Sequence, residues 1–162
     1  MVAAVDHGPQ APSVAAARMA ATCGIGLNSA VATGVNLLGD VHGGAGQQCM
    51  EMLADIRARE SGGEEVASIV DDVVNRYRAA GTPVPGFGHR FHPHDPRRDP
   101  LLELTEASVG DGTIAGHSLR IGELIESRLA EGRPRPVPMN IDGVPETCAS
   151  VASNMSDFTA LS

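Results

Sequence analysis

The chain has 162 residues, a formal net charge of −8 and a hydrophobic fraction of 42%. That length suits one domain with a real core and is short for two. Its acids are spread along the chain, which excludes the basic face that a general nucleic-acid binder needs.

No run of about 18 apolar residues occurs, and no basic region precedes an apolar core at the N-terminus, so neither a membrane span nor a secretory signal is expected. Aromatic residues make up 2% and Trp is absent, so Ala, Val, Leu, Ile and Met must build the core. Cys23, Cys49 and Cys148 are odd in number and follow no CxxC spacing. They read as reduced thiols of a cytoplasmic protein.

The elements follow in order. Ser13 to Cys23 (SVAAARMAATC) predicts a buried helix with Ser13 as N-cap after Pro12. Asn28 to Leu38 (NSAVATGVNLL) predicts a second buried helix of small residues, ended by Gly39. Gln47 to Glu60 is helical, with Met50, Leu53 and Ile56 or Arg57 on one face. Glu64 to Ala80 is amphipathic: Val66, Ile69, Val70, Val73 and Val74 recur at helical spacing, and Gly81 and Pro83 stop it. A short helix is expected over Leu101 to Val109. Another follows over Ile114 to Glu131, capped by Thr113, with Leu119, Leu124, Ile125 and Leu129 inward. From Arg133 the chain becomes an extended, proline-stiffened segment. The tail, Thr147 to Ser162, has weak periodicity. No alternating strand pattern occurs, so the class is all-α.

Three glycine- or proline-framed loops carry titratable groups: VDHGPQAPS around His7, GDVHGGAG around His42, and VPGFGHRFHPHDPRRDP from Val84 to Pro100. A single histidine in such a loop is more often a structural, hydrogen-bonded residue. As a set, at helix ends where backbone amides are free, they form a constellation. Histidine is a proton donor near neutral pH, and Asp95, held between Pro93 and Pro96, is a rigid carboxylate base. Two imidazoles and one carboxylate suit an enolisation, in which the carboxylate takes a carbon-bound proton and a histidine bonds the developing enol oxygen. A metal site of His89, His92, His94 and Asp95 is the rival reading, weakened by Pro93 and the lack of a regular frame. A serine or cysteine nucleophile has no supporting motif.

In order and spacing, VDHGPQAPS, GDVHGGAGQQCMEML and VPGFGHRFHPHDPR resemble three segments of the citrate synthase family, nearest its short bacterial citryl-CoA lyase-like members. The resemblance covers about Val2 to Gly143. It implies a helical fold of a small and a large domain, with residues 1–105 small-domain-like and 106–162 part of the large domain, working as a homodimer. It implies that His7 bonds the thioester carbonyl, His42 polarises the keto group and Asp95 abstracts the methyl proton of acetyl-CoA. Gly43, Gly44, Gly86, Phe87, Gly88 and His89 become candidates for holding CoA. Arg90 and Arg97 become candidates for a phosphate or carboxylate. Arg98, His92 and His117 read as solvated surface, and His94 as a group that tunes Asp95. No metal and no permanently bound cofactor is implied. The substrates would be acetyl-CoA with a 2-oxo acid such as oxaloacetate, or citryl-CoA. Against the family, the chain is expected to be short at both ends. The alternative reading is therefore an inactive remnant, or a regulatory partner of a full-length relative.

Overall fold

The computed structural model describes residues 8–89 and 93–144. Among these there are six α-helices and no strand, only two isolated bridges, as the all-α reading expects. The chain divides between Ala45 and Gly46 into two compact units.

The first unit holds α1 (Pro12–Thr22) and α2 (Leu27–Val35), packed on one another. Their contact is made by small residues. Gly34 lies so close that an added Cβ would sit 2.9 Å from the Ser13 carbonyl oxygen and 3.1 Å from the Ala17 Cβ. The expectation of two buried helices is corrected here. No residue of α1 is buried, and only Ala30 and Gly34 of α2 are. One pair of helices can cover only one face of each, so the remaining apolar side chains stay outside. Ser13 is not the N-cap either: Ala11 takes that position and Pro12 opens the helix, where its missing N–H costs no hydrogen bond.

The second unit holds α3 (Ala45–Ser61, which starts at the boundary), α4 (Val66–Ala80), α5 (Arg98–Gly110) and α6 (His117–Ala130). Residues 105 and 106 both lie within α5. Helix α4 forms as its sequence dictates. Its valine–isoleucine stripe is buried, and Gly81 ends it in a left-handed conformation at φ 65°, which glycine adopts without steric cost. The Glu65 carboxylate caps its start by accepting from the Ala67 and Ser68 amides at 3.1 and 2.8 Å. Helix α6 begins at His117 and not at Ile114, because Gly116 turns the chain at φ 68° immediately before it. Thr113 caps nothing; its own amide donates to Asp111 Oδ1 at 2.9 Å. Helix α5 begins earlier than expected, at Arg98, with Pro100 in its first turn.

One core runs through this unit. It joins Cys49, Met52, Leu53 and Ile56 of α3 to the α4 stripe and to Ile121, Ile125 and Leu129 of α6. Met50, expected inward, is exposed; the buried face of α3 is rotated toward Cys49 and Met52. Met139 and Val144 also enter the core fully buried, so the proline-rich segment after Arg133 returns to the body of the unit. Ile125, with no exposed surface, sits where truncation leaves a cavity. Ile125→Ala is expected to cost roughly 3 kcal/mol, measured as a lowered midpoint in urea unfolding with an unchanged slope.

Candidate active site

In the first unit the GDVHGGAG loop closes on itself. The Gly39 amide donates to the His42 carbonyl at 2.8 Å, and the His42 and Gly44 amides donate to the Gly39 carbonyl at 3.1 and 3.0 Å. The His42 ring turns to the start of α1. Its Nε2 accepts from the Ser13 amide at 3.2 Å and lies 2.9 Å from Ser13 Oγ. An Nε2 that accepts from a backbone N–H places the neutral ring's proton on Nδ1, which is then the nitrogen able to donate to a substrate oxygen. Ser13 thus orients His42 and does not cap its helix. Gly43 and Gly44 have local reasons to be glycine. A Cβ at Gly44 would sit 2.8 Å from Asp40 Cα.

In the second unit Asp95 is the centre. Its side chain is 0% exposed. Oδ1 accepts from the Arg97 amide at 3.0 Å and from Arg97 Nε at 2.9 Å. Oδ2 accepts from Arg97 Nη2 at 2.9 Å and from the Ile141 amide at 3.1 Å. Burial pushes this carboxyl up. The Arg97 guanidinium and the two backbone donors outweigh burial and hold it down at about 2, against an ordinary value of 3.8. With the folded value below the unfolded one, these bonds stabilise the fold fully above about pH 5, and their contribution drains away as pH falls from about 4 to about 2. The loss is expected to be roughly 2 kcal/mol. Asp95→Asn should flatten that part of the acid-unfolding curve.

The VPGFGH loop and residues 138–143 are laced together beside Asp95. Gly88 donates to the Pro138 carbonyl at 2.7 Å, Asn140 donates to the Gly86 carbonyl at 3.0 Å, and Asn140 Nδ2 donates to the Gly88 carbonyl at 2.6 Å. The backbones nearly touch. A Cβ on Gly86 would meet Cys49 Sγ at 2.6 Å and Gly143 Cα at 2.9 Å, at φ 82°. Gly86 is therefore glycine because two chains cross there, and Phe87 points into the core. Glu126 braces the same segment from α6. It pairs with Arg98 at 2.8 Å and accepts from the Met139 amide at 2.9 Å.

A cavity of about 320 Å³ opens on the far end of α4, lined in part by Tyr77, Thr82, Val84 and Phe87 and flanked by Arg78 and Arg133. That volume is at the small end of ligand sites. Neither arginine makes an ion pair among the described residues. Reading the sequence singled out neither of them. Their only sequence signal is that they bracket the VPGFGH stretch, Arg78 from the last turn of α4 and Arg133 from just beyond the end of α6.

Residues 1–148 match the family described as "Citrate synthase, C-terminal domain". The chain belongs to the citrate synthase family. It is 33% identical over 124 residues to citrate synthase 1 of Mycobacterium tuberculosis, covering 73% of this chain and 27% of that protein. Against the citrate synthase of Corynebacterium glutamicum it is 33% identical over 115 residues, covering 67% of this chain and 25% of that one. The chain thus spans about a quarter of the length of these curated relatives. Among solved structures, the citryl-CoA lyase of Hydrogenobacter thermophilus superposes with a TM-score of 0.69 at 29% identity, over 95% of this chain and 55% of that one. The ATP citrate lyase of Methanothrix soehngenii, solved with citrate and coenzyme A, shares the fold with a TM-score of 0.67 at 24% identity, over 97% of this chain and 24% of that one.

Of the positions to which the citrate synthase motifs pointed, Gly86, Phe87, Gly88, Asp95 and Arg97 come together in the second unit, while His42, Gly43 and Gly44 lie in the first. His89 is half-buried beside Gly88. His7, Arg90 and His92 lie outside the described residues, as does the tail with Cys148. Two surface readings, of Arg98 and His117, and the tuning role read for His94 are corrected. Arg98 is half-buried and paired with Glu126 and Asp99. His117 bonds Glu60 at 2.5 Å and accepts from Arg120 at 3.2 Å. His94 pairs with Asp99 and not with Asp95. Among the described residues no cluster could hold a metal ion, and no helix is long and apolar enough to cross a membrane.

Proposed function

We propose that this chain carries the machinery for making or breaking the carbon–carbon bond between acetyl-CoA and a 2-oxo acid such as oxaloacetate. The observation that carries the reading is Asp95, a buried carboxylate kept ionised and anchored by two backbone amides beside the VPGFGH loop. In the forward direction Asp95 takes a proton from the acetyl methyl group. The C–H electron pair becomes the carbon–carbon double bond of an enol as the thioester oxygen takes a proton from His7, which recovers it when the thioester carbonyl re-forms on attack. The enol carbon attacks the keto carbon, and His42, donating through Nδ1, stabilises the new alkoxide and protonates it. The product is citryl-CoA, and the reverse sequence cleaves it. No resident cofactor takes part; CoA enters and leaves as substrate.

The cavity beside Phe87 is assigned to the nucleotide end of CoA, with Arg78 and Arg133 meeting its phosphates. Charge-assisted bonds are worth about 1.5–3 kcal/mol each. Arg78→Glu with Arg133→Glu is expected to weaken CoA binding at least tenfold by calorimetry, at unchanged folding. An unchanged affinity moves CoA elsewhere. The test of the reaction is thiol release from acetyl-CoA plus oxaloacetate, together with exchange of the acetyl methyl protons in heavy water. Absence of both in a folded chain rejects it.

The exposed apolar stripe of α2 supports a homodimer. Leu27, Val31 and Val35 recur every four residues and are 81%, 53% and 57% exposed. A folded dimer in solution is expected, and Val31→Asp should shift its dissociation constant upward by about tenfold or more, read by sedimentation. The same stripe favours a second reading, in which the chain is a non-catalytic partner of a longer citrate synthase-like protein. That reading predicts a mixed dimer and no methyl exchange by the chain alone.

A further inference from the structure

We propose that Arg97 is a latch on Asp95: its guanidinium covers the carboxylate in the ligand-free chain and is drawn off by an anionic group of the substrate, which frees Asp95 to take a proton. The proposal rests on Asp95 being the base.

Three observations carry it. First, the carboxylate is saturated. Each oxygen already accepts two hydrogen bonds, which uses the roughly four acceptor sites that an ionised carboxylate has. With the side chain wholly covered, no lone pair is open to a carbon-bound proton. Second, the cover is removable. Two of the four donors belong to the Arg97 guanidinium, whose side chain remains 24% exposed. A dissolved carboxylate or phosphate can therefore reach the fork, and it matches the geometry of the bond it would replace. Third, what stays behind still positions the base. Once the guanidinium leaves, the Arg97 amide holds Oδ1 and the Ile141 amide holds Oδ2, with one acceptor site open on each oxygen. Arg97 is thus a positioning residue that acts through Asp95.

Two other basic groups near Asp95 are engaged among the described residues. Arg98 is paired with Glu126 and Asp99, and His94 with Asp99. Neither of them takes over the cover of Asp95.

The trigger is an anion of either the oxo-acid carboxylate type or the CoA phosphate type. The test follows the Asp95 carboxyl carbon by NMR in the full chain while pH is varied, with malonate, inorganic phosphate, or sodium chloride at matched ionic strength. The expected result is that one of the two anions raises the Asp95 titration midpoint by about one pH unit or more and chloride does not. A response to malonate assigns the trigger to a substrate carboxylate, and a response to phosphate assigns it to CoA. Arg97→Gln should raise the midpoint without ligand and abolish the response, while Arg97→Lys, which keeps the charge but loses the fork, should restore part of the depression. If Arg97→Gln does not fold, the wild-type titrations still decide. No response to either anion at saturation overturns the latch. A response without any methyl exchange leaves the latch standing and removes the catalytic reading; methyl exchange without a response does the opposite.

Discussion

Asp95→Asn is expected to slow methyl-proton exchange of acetyl-CoA by about 10²–10⁴-fold, the usual contribution of a positioned general base. The substitution keeps the shape of the side chain and removes its ability to accept a proton. It also disturbs the fold. Among the described residues, the groups bonded to this carboxylate are all donors: the Arg97 amide and guanidinium and the Ile141 amide. An asparagine NH₂ must therefore point at one of them. Breaking a buried ion pair from one side costs on the order of 3 kcal/mol, although Arg97 can turn partly to solvent and recover some of it. The two effects separate by measurement. Circular dichroism at the working temperature gives the folded fraction, and the exchange rate is referred to that fraction. A folded Asp95→Asn protein that exchanges as fast as the parent takes Asp95 out of the chemistry and the assigned reaction with it.

Gly86→Ala is expected to destabilise the chain by about 2–5 kcal/mol, the sum of left-handed backbone strain of about 1–2 kcal/mol and overpacking of about 1–3 kcal/mol. The new methyl would meet Cys49 Sγ and the Gly143 backbone, and neither can retreat. Cys49 is buried in α3, and the Gly143 amide donates to the Asn140 carbonyl at 3.1 Å. Gly110→Ala is the control. That glycine ends α5 with open space around it, so the change should be neutral or stabilise by less than about 1 kcal/mol. Urea unfolding of both variants checks the contrast. Equal losses would mean that the Gly86 crossing is not tight. Because Gly86 supports residues 138–143, and Ile141 in turn holds Asp95, the variant should also slow the reaction more than its folded fraction explains.

Much of the helical plan was legible residue by residue. The α4 stripe and its Gly81 stop are local signals, written within one helix length, and the structure follows them. So are the motifs, since a glycine loop and a DPR turn are short and keep their spacing. Boundaries failed where a distant or left-handed residue decided them. Gly116 delayed α6, and Ser13, which reads as a cap, instead bonds a histidine 29 residues away. The roles of Arg98 and His117 were misread for the same reason: each is set by a carboxylate on another helix, Glu126 and Glu60.

By itself the amino-acid order determined the all-α class, the family and the short list of imidazoles and carboxylates. These depend on periodicity and on motifs a few residues long. Only the tertiary structure decided the state of Asp95. Its burial and the amide of Ile141, 46 positions away, join the neighbouring Arg97 in determining whether that carboxylate is a free base or a covered anion. Local sequence cannot encode such a pairing, because the segment that supplies it reads only as an extended, proline-stiffened stretch until it folds back against the VPGFGH loop.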